Sequence, residues 1–280
     1  MGRRKIGLRL WALLAALASC FLTLDGFGQA ASTLALQSAD FQILSPADGH
    51  PIGGLHYDEH RDRLGVITLT GVARYADGQH DTEHDVFVKE ADPAAPLRMF
   101  SFAHEFSRAD GSLMLSASAN FSTGAAVCID GRGGTSEVAS KKLDFPPDTY
   151  AGAGVILNLQ RALSGGAFST IRFHAFSCAS GPQIFAVQAE ALTAKTWAYF
   201  PGDLTRIDVK PDFGWLSYVI APFVPKMNAW FAPTSSGTIR FVGGEYARYY
   251  KGPVIILKLA TDASPQSSSG ASPAKSSNVN

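Results

Sequence analysis

Two short stretches, "HYDEH" at 56–60 and "HDTEH" at 80–84, both read His-x-x-Glu-His, the spacing of an inverted zinc-hydrolase motif. In such an enzyme two histidines four apart on a helix reach one metal ion, and the glutamate activates a water. His56, His60, His80 and His84 are therefore the candidate metal ligands. The chemistry depends on the helix. On a strand, positions i and i+4 share a face but lie about 13 Å apart at ~3.3 Å per residue, too far to share an ion.

The surrounding elements argue for strands. "RLGVITLTGVARYADGQHDTEHDVFVKE" reads as two β-rich runs around Asp77-Gly78, a common short hairpin signal. A two-residue turn there predicts Tyr75 opposite His80, Arg74 opposite Asp81, Leu69 opposite Val86 and Ile67 opposite Val88. One face then carries Ile67, Leu69, Gly71, Ala73 and Tyr75 with His80, Thr82, His84, Val86 and Val88, while Arg74 meets Asp81 on the other. The first motif lies between Gly53-Gly54 and Gly65, with β-branched "VITLT" beyond it. That leaves barely two helical turns. The expectation is polar residues near a hairpin tip; a metal-dependent hydrolase using the histidine pairs is the alternative. The sequence contains no Gly-x-Ser-x-Gly elbow and no Walker loop, so no catalytic residue and no cofactor are expected.

The N-terminus sets the compartment. "MGRRKIGLR" is followed by an apolar run, Leu10 to Leu24, and by "GFGQAAS". A basic start, an apolar middle and small residues at a cleavage site make residues 1–30 a secretory signal, with cleavage near Ala30. A second reading competes: "LASC", Leu17 to Cys20, resembles a bacterial lipobox in which Cys20 is acylated, although "FLTL" continues the apolar run past it. Both readings predict export to the periplasm or cell envelope; only the second adds a membrane contact, an N-terminal lipid anchor. Without residues 1–30, which hold Arg3, Arg4, Lys5, Arg9 and Asp25, there remain 20 basic and 23 acidic residues, a net charge of −3. That balance speaks against nucleic acid as a partner; no protein partner is indicated. Cys128 and Cys178 could pair in an oxidising compartment or stay as buried thiols, and spacing does not decide.

"DASPQSSSGASPAKSSNVN", residues 262–280, is too poor in apolar groups to offset its ordering entropy and is expected to be a disordered tail. Residues 31–261 are then a single β-rich domain. Further strands are expected in "LRMFSFAHEFS", "GSLMLSASANFS", "AAVCID", "FSTIRFHAFS", "QIFAVQAEAL" and "GTIRFVGGEYARYYKGPVIILKLA". Between them, "DTYAGAGVILNLQRALSGG" predicts a short helix with Asp148 as N-cap, a stripe of Ile156, Leu159 and Leu163, and a stop at Gly165-Gly166. The fold class is mainly β (α+β): a strongly curved antiparallel sheet or an incomplete barrel, with one central helix packed on it.

The most unusual composition is "PDFGWLSYVIAPFVPKMNAWFAP", residues 211–233. Its aromatics could fill the core, or line a site for an apolar ligand such as an acyl chain. On the second reading Trp215, Tyr218, Phe223, Asn228, Trp230 and Phe231 are the candidate ligand-binding residues. A carbohydrate-binding module is a further alternative, requiring several of Trp197, Trp215 and Trp230 to lie coplanar on an open face.

The lipobox-like "LASC", the "RLGVITLTGVARYADGQHDTEHDVFV" hairpin, the central "YAGAGVILNLQRAL" helix and the closing "GEYARYYKGPVIILKL" strand together resemble secreted bacterial envelope proteins. Their fold is similar to that of the LolA and LolB lipoprotein carriers, an unclosed antiparallel barrel with a helical lid over an apolar cavity. The resemblance spans about residues 40–260 and rests on layout, so no functional residue is carried over. It implies a binding or structural role and not a reaction; with export, the aromatic segment and the lack of a catalytic constellation, the expectation is a non-enzymatic protein that binds lipid or another hydrophobic molecule.

Overall fold

The computed structural model describes residues 38–88, 97–166, 169–212, 227–235, 237–249 and 252–260. The expected signal segment with Cys20, the 262–280 tail, and Trp215, Tyr218 and Phe223 lie outside the described residues.

Strands dominate. The chain runs through β1 (Ala39–Leu44), β2 (Pro51–Arg61), β3 (Ile67–Tyr75), β4 (His80–Val88), β5 (Arg98–Ser107), β6 (Leu113–Asn120), β7 (Ala125–Asp130) and β8 (Glu137–Lys142). It continues through β9 (Thr149–Tyr150), a helix α1 (Ala153–Ser164), β10 (Thr170–Ser177), β11 (Gln183–Trp197), β12 (Phe200–Pro211), β13 (Met227–Pro233), β14 (Ile239–Ala247) and β15 (Val254–Leu259). All the strands belong to one sheet, in the order β8-β7-β6-β5-β4-β3-β2-β1-β15-β14-β13-β12-β11-β10-β9. Two antiparallel meanders therefore meet at a seam where β1 pairs with β15, Phe41 opposite Leu259 and Ile43 opposite Leu257. Only β9 runs parallel to its neighbour, β10. The two ends of the strand order, β8 and β9, are consecutive in the chain, joined by residues 143–148.

The β3–β4 hairpin forms where the sequence places it, but not in the expected register. Its loop has three residues, Ala76, Asp77 and Gly78: Tyr75 N–H donates to Gln79 O at 3.0 Å, and Gly78 N–H to Tyr75 O at 3.0 Å. Gly78 sits at φ +83°, the left-handed position that closes a three-residue hairpin. Arg74 consequently faces His80, Ala73 faces Asp81, Gly71 faces Glu83 and Leu69 faces Asp85. A one-residue slip reverses every side chain of β4. Asp81, Glu83, Asp85 and Phe87 share the face of Leu69, Ala73 and Tyr75, and His80, Thr82 and His84 take the other.

The helix spans Ala153–Ser164 and ends at Gly165, as expected, but Gly152 and not Asp148 is its N-cap. Asp148 stands before β9, its Oδ1 2.8 Å from His174 Nδ1. The buried helix residues are Ala153, Gly154, Val155, Leu157, Leu159 and Gln160. Of the predicted stripe only Leu159 is buried. The buried face instead follows Val155, Leu157 and Leu159, with Ile156 and Leu163 half-buried.

Cys128 on β7 and Cys178, just after β10, form a disulfide with Cα atoms 5.6 Å apart. Around it, segments from both ends of the strand order touch. The Phe145 ring lies 5.9 Å from Phe176 and 4.6 Å from Phe121, and Phe102 lies 6.1 Å from Phe176. With a sequence separation of 50, opening this bond frees a long loop in the unfolded chain, an effect of about 2–4 kcal/mol. Cys128→Ser is expected to lower stability by that amount in urea titrations, and reduction of the wild type to have the same effect. Equal midpoints for the oxidised and reduced protein would contradict the role of this bond.

Candidate functional site

One face of the sheet and the start of α1 line a cavity of about 460 Å³. Ile43, Leu55, Phe173, Val187, Phe241 and Leu257 give it an apolar wall, and Ile156 of α1 faces it as well. Against that wall stands a group of polar side chains: Tyr57, Tyr75, Asp81, Glu83, His104, Tyr246 and Arg248. Most come from the strands β2 to β5 around the reversed hairpin.

The carboxylates of β4 are each handled differently. Glu83 stands at the N-terminus of α1, where its Oε1 accepts the Ala153 N–H at 2.5 Å. A free helix N–H and the positive end of the helix dipole both favour a negative charge there. No acidic residue occurs in the first turn of α1 and Gly152 has no side chain to cap it, so this cap is supplied from the sheet. Gly152 itself allows the approach: at φ +48°, a Cβ would stand 1.8 Å from Glu83 Oε1. Glu83 Oε2 accepts from the Tyr57 hydroxyl at 3.1 Å. Tyr57 reaches it by crossing Gly71 of the intervening strand, where a Cβ would collide with its ring at 2.5 Å.

Asp81 accepts from the Tyr75 hydroxyl at 3.2 Å, and its Oδ2 lies 3.8 Å from His104 Nε2. Burial works to lower the affinity of His104 for a proton. The Asp81 and Glu83 carboxylates, with Glu105, outweigh it, so the imidazole titrates above its ordinary value. Burial pushes the Tyr57, Tyr75 and Tyr246 hydroxyls up, with neighbouring carboxylates adding to the effect, so all three are neutral donors. Asp85 is fully buried, 0% exposed, and neither of its oxygens closes a hydrogen bond of good geometry. Burial first, then the charge of Glu83, drives its pKa well above the usual carboxylate range, opposed by the Gly154 backbone N–H.

Chemically, this constellation can orient a polar group at the edge of an apolar space. His104 and Asp81 resemble part of an acid–base relay, and Ser177 lines the same cavity. Its hydroxyl, however, accepts the Ala179 N–H at 3.1 Å, and among the described residues no hydrogen bond joins it to His104.

The residues singled out in the sequence fall elsewhere. His56 and His60 lie on β2, His80 and His84 on β4, all on the face turned away from the cavity. His56 Nδ1 instead stands 2.8 Å from Asp40 Oδ1. Among the described residues no three histidine, cysteine or acidic side chains are grouped to hold a metal ion, so the two motifs form no shared centre there. Asn228, Trp230 and Phe231 do not line the cavity. The Asn228 side chain accepts the Trp230 indole N–H at 2.9 Å and donates to Glu245 at 3.3 Å, while Phe231 packs 5.6 Å from Phe241. Trp197 and Trp230 stack flat on each other at 5.4 Å and 8° and are only 8% and 5% exposed. They cover each other's faces, and no open sugar platform is built from them.

The polar group around Glu83 was missed because it depends on hairpin register. The usable signal was Gly78: a glycine third in the loop suits a three-residue turn, which alone would have turned Asp81 and Glu83 inward.

No protein-family model matches the chain, and no curated protein matches it in sequence. Among solved structures it is similar to a β-barrel-like protein of domain of unknown function DUF1849 from Brucella abortus, with 13% identity and a TM-score of 0.41 over 80% of this chain and 95% of that one.

The buried Asp85 gives the site a pH signature. Its folded pKa is raised, so above the ordinary carboxylate pKa of about 4 the unfolded chain gives up a proton that the folded chain keeps. Its contribution to stability therefore falls as pH rises through that window. Asp85→Asn stays neutral and is expected to gain stability over the wild type as pH rises above about 4, measured by urea titration. Parallel pH profiles for the two proteins would mean that Asp85 is ionised in the fold.

Proposed function

We propose that this chain is an exported envelope protein that holds one hydrophobic or amphipathic molecule, a lipid or similar, inside an incomplete barrel, without breaking bonds in it. The observation that carries the reading is the apolar cavity of about 460 Å³ between the sheet and α1. Protein interiors are ordinarily packed to the density of organic crystals, and a void of this size lies within the range of about 300–1,000 Å³ typical of small-molecule sites. It has room for one chain-like ligand and not for several acyl chains.

The barrel is supported by connectivity. Laid flat at ~4.8 Å per strand, a sheet of fifteen strands would separate β8 from β9 by on the order of 65 Å. Residues 143–148, which join them, reach at most about 25 Å. The Cys128–Cys178 bond and the cap that Glu83 of β4 places on α1 draw the same ends together. Export rests on residues 1–30, with Cys20 or a residue near 31 as the mature N-terminus. The role is of the same kind as that of the LolA and LolB carriers.

Native mass spectrometry of protein purified from its host envelope tests the reading, with one apolar molecule bound per chain expected. Ala73→Trp and Val187→Trp, both at cavity-lining positions, are expected to weaken uptake of a neutral hydrophobic fluorophore by at least about tenfold, since overpacking costs on the order of 1–3 kcal/mol. A wild type that carries no ligand and takes up no fluorophore would contradict it.

A further inference from the structure

We propose that Arg248 is a head-group site, and that the molecule held in the cavity is a single-chain amphiphile ending in an oxyanion, a carboxylate or a phosphate. The inference rests on the cavity reading above and adds the chemistry of one end of the ligand.

Arg248 follows the last residue of β14 and lines the cavity. Its side chain is only 8% exposed. The guanidinium lies on the Tyr75 ring, 3.2 Å from the centroid, with the Phe106 ring 4.6 Å away. These rings hold its faces. It forms an ion pair with Asp77 in the hairpin loop, 3.6 Å from Nη1, beyond a hydrogen bond. Among the described residues Nε and Nη2 have no hydrogen-bond partner, and both atoms are shielded from solvent.

Nε and Nη2 are the two donors on one edge of the planar fork, parallel and spaced to meet the two oxygens of a carboxylate or phosphate. A buried guanidinium with both edge donors unpaired is strongly disfavoured, so what the site lacks is an acceptor pair. Three of the other donors at the wall are already matched. Tyr57 donates to Glu83 and Tyr75 to Asp81, and the helix N–H of Ala153 meets Glu83. Asp81 and Glu83 would oppose an incoming anion, but His104 beside the first and the helix N-terminus beside the second take up their charge. The edge donors are shielded, so pairing requires the side chain to swing on its stem toward the cavity. That rotation gives up the contacts with the Tyr75 and Phe106 rings and the Asp77 ion pair, which the new charge-assisted pair must outweigh.

The test uses the full chain and a set of ligands sharing one hexadecyl chain: hexadecanoate, hexadecyl phosphate, hexadecanol and hexadecylamine. Each displaces a neutral fluorophore below its micelle concentration. At least one anion is expected to bind about tenfold or more tightly than hexadecanol, the gain of a charge-assisted pair, and the better anion identifies the head-group. Arg248→Met is expected to collapse the ratio of anion to alcohol affinity, and Arg248→Lys, which keeps charge without the fork, to retain part of it. Melting curves confirm that both variants fold. Equal binding of anions and alcohol by the wild type, a preference for the amine, or an unchanged ratio in Arg248→Met would overturn the head-group assignment while leaving the cavity reading intact. Failure of all four chains to displace the fluorophore would overturn both.

Discussion

The three-residue loop between β3 and β4 decides what the interior of this protein is. By placing Gly78 in the left-handed conformation it sets Ala73 opposite Asp81 and Gly71 opposite Glu83, and so turns three carboxyl groups toward the apolar face. One residue fewer in the loop would put histidines there instead. The acidic groups of the cavity follow from that choice. Glu83 finds a helix N-terminus and a tyrosine, Asp81 finds a tyrosine and an imidazole, and Asp85, buried beside the Glu83 charge, favours its proton. The helix is fixed in return, since its first turn lacks an acidic residue of its own.

A sheet assembled from two meanders has a strong seam and weak ends. β1 and β15 pair over Phe41 to Leu44 in the middle of the order, whereas β9 contributes only Thr149 and Tyr150. The ends are secured by other means: the disulfide, the ring contacts of Phe145 and Phe176, and the Ala151 N–H directed at Met99 Sδ at 3.1 Å. An unfilled apolar wall forfeits dispersion contacts on its open side, and a ligand in the proposed barrel would restore them.

Much of this architecture was legible from pattern alone. Alternation in "ITLTGVARY" fixes which face of β3 is buried, and Ile67, Leu69, Ala73 and Tyr75 are indeed core. Gly165 ends the helix where the sequence puts its stop. Register was not legible, because "HDTEH" is polar at every position and either face could turn inward. The pairing of Arg74 with Asp81, electrostatically attractive on paper, selected the wrong register; in the structure Arg74 is opposite His80. The His-x-x-Glu-His spacing likewise carried helical geometry that β-branched neighbours rule out. Arg248 could not have been singled out at all, since its importance lies in which of its donors lack a partner.

The most direct measurement is methyl NMR of the full chain with a hexadecanoate spin-labelled along its chain. If the ligand lies in the cavity, resonances of Ile43, Leu55, Val187 and Ile255, which line it, broaden at one equivalent, while Val72 on the outer face of β3 and the exposed Val138 stay sharp. Broadening of Val72 and Val138 with the lining methyls unaffected would place the ligand on the surface and contradict this account.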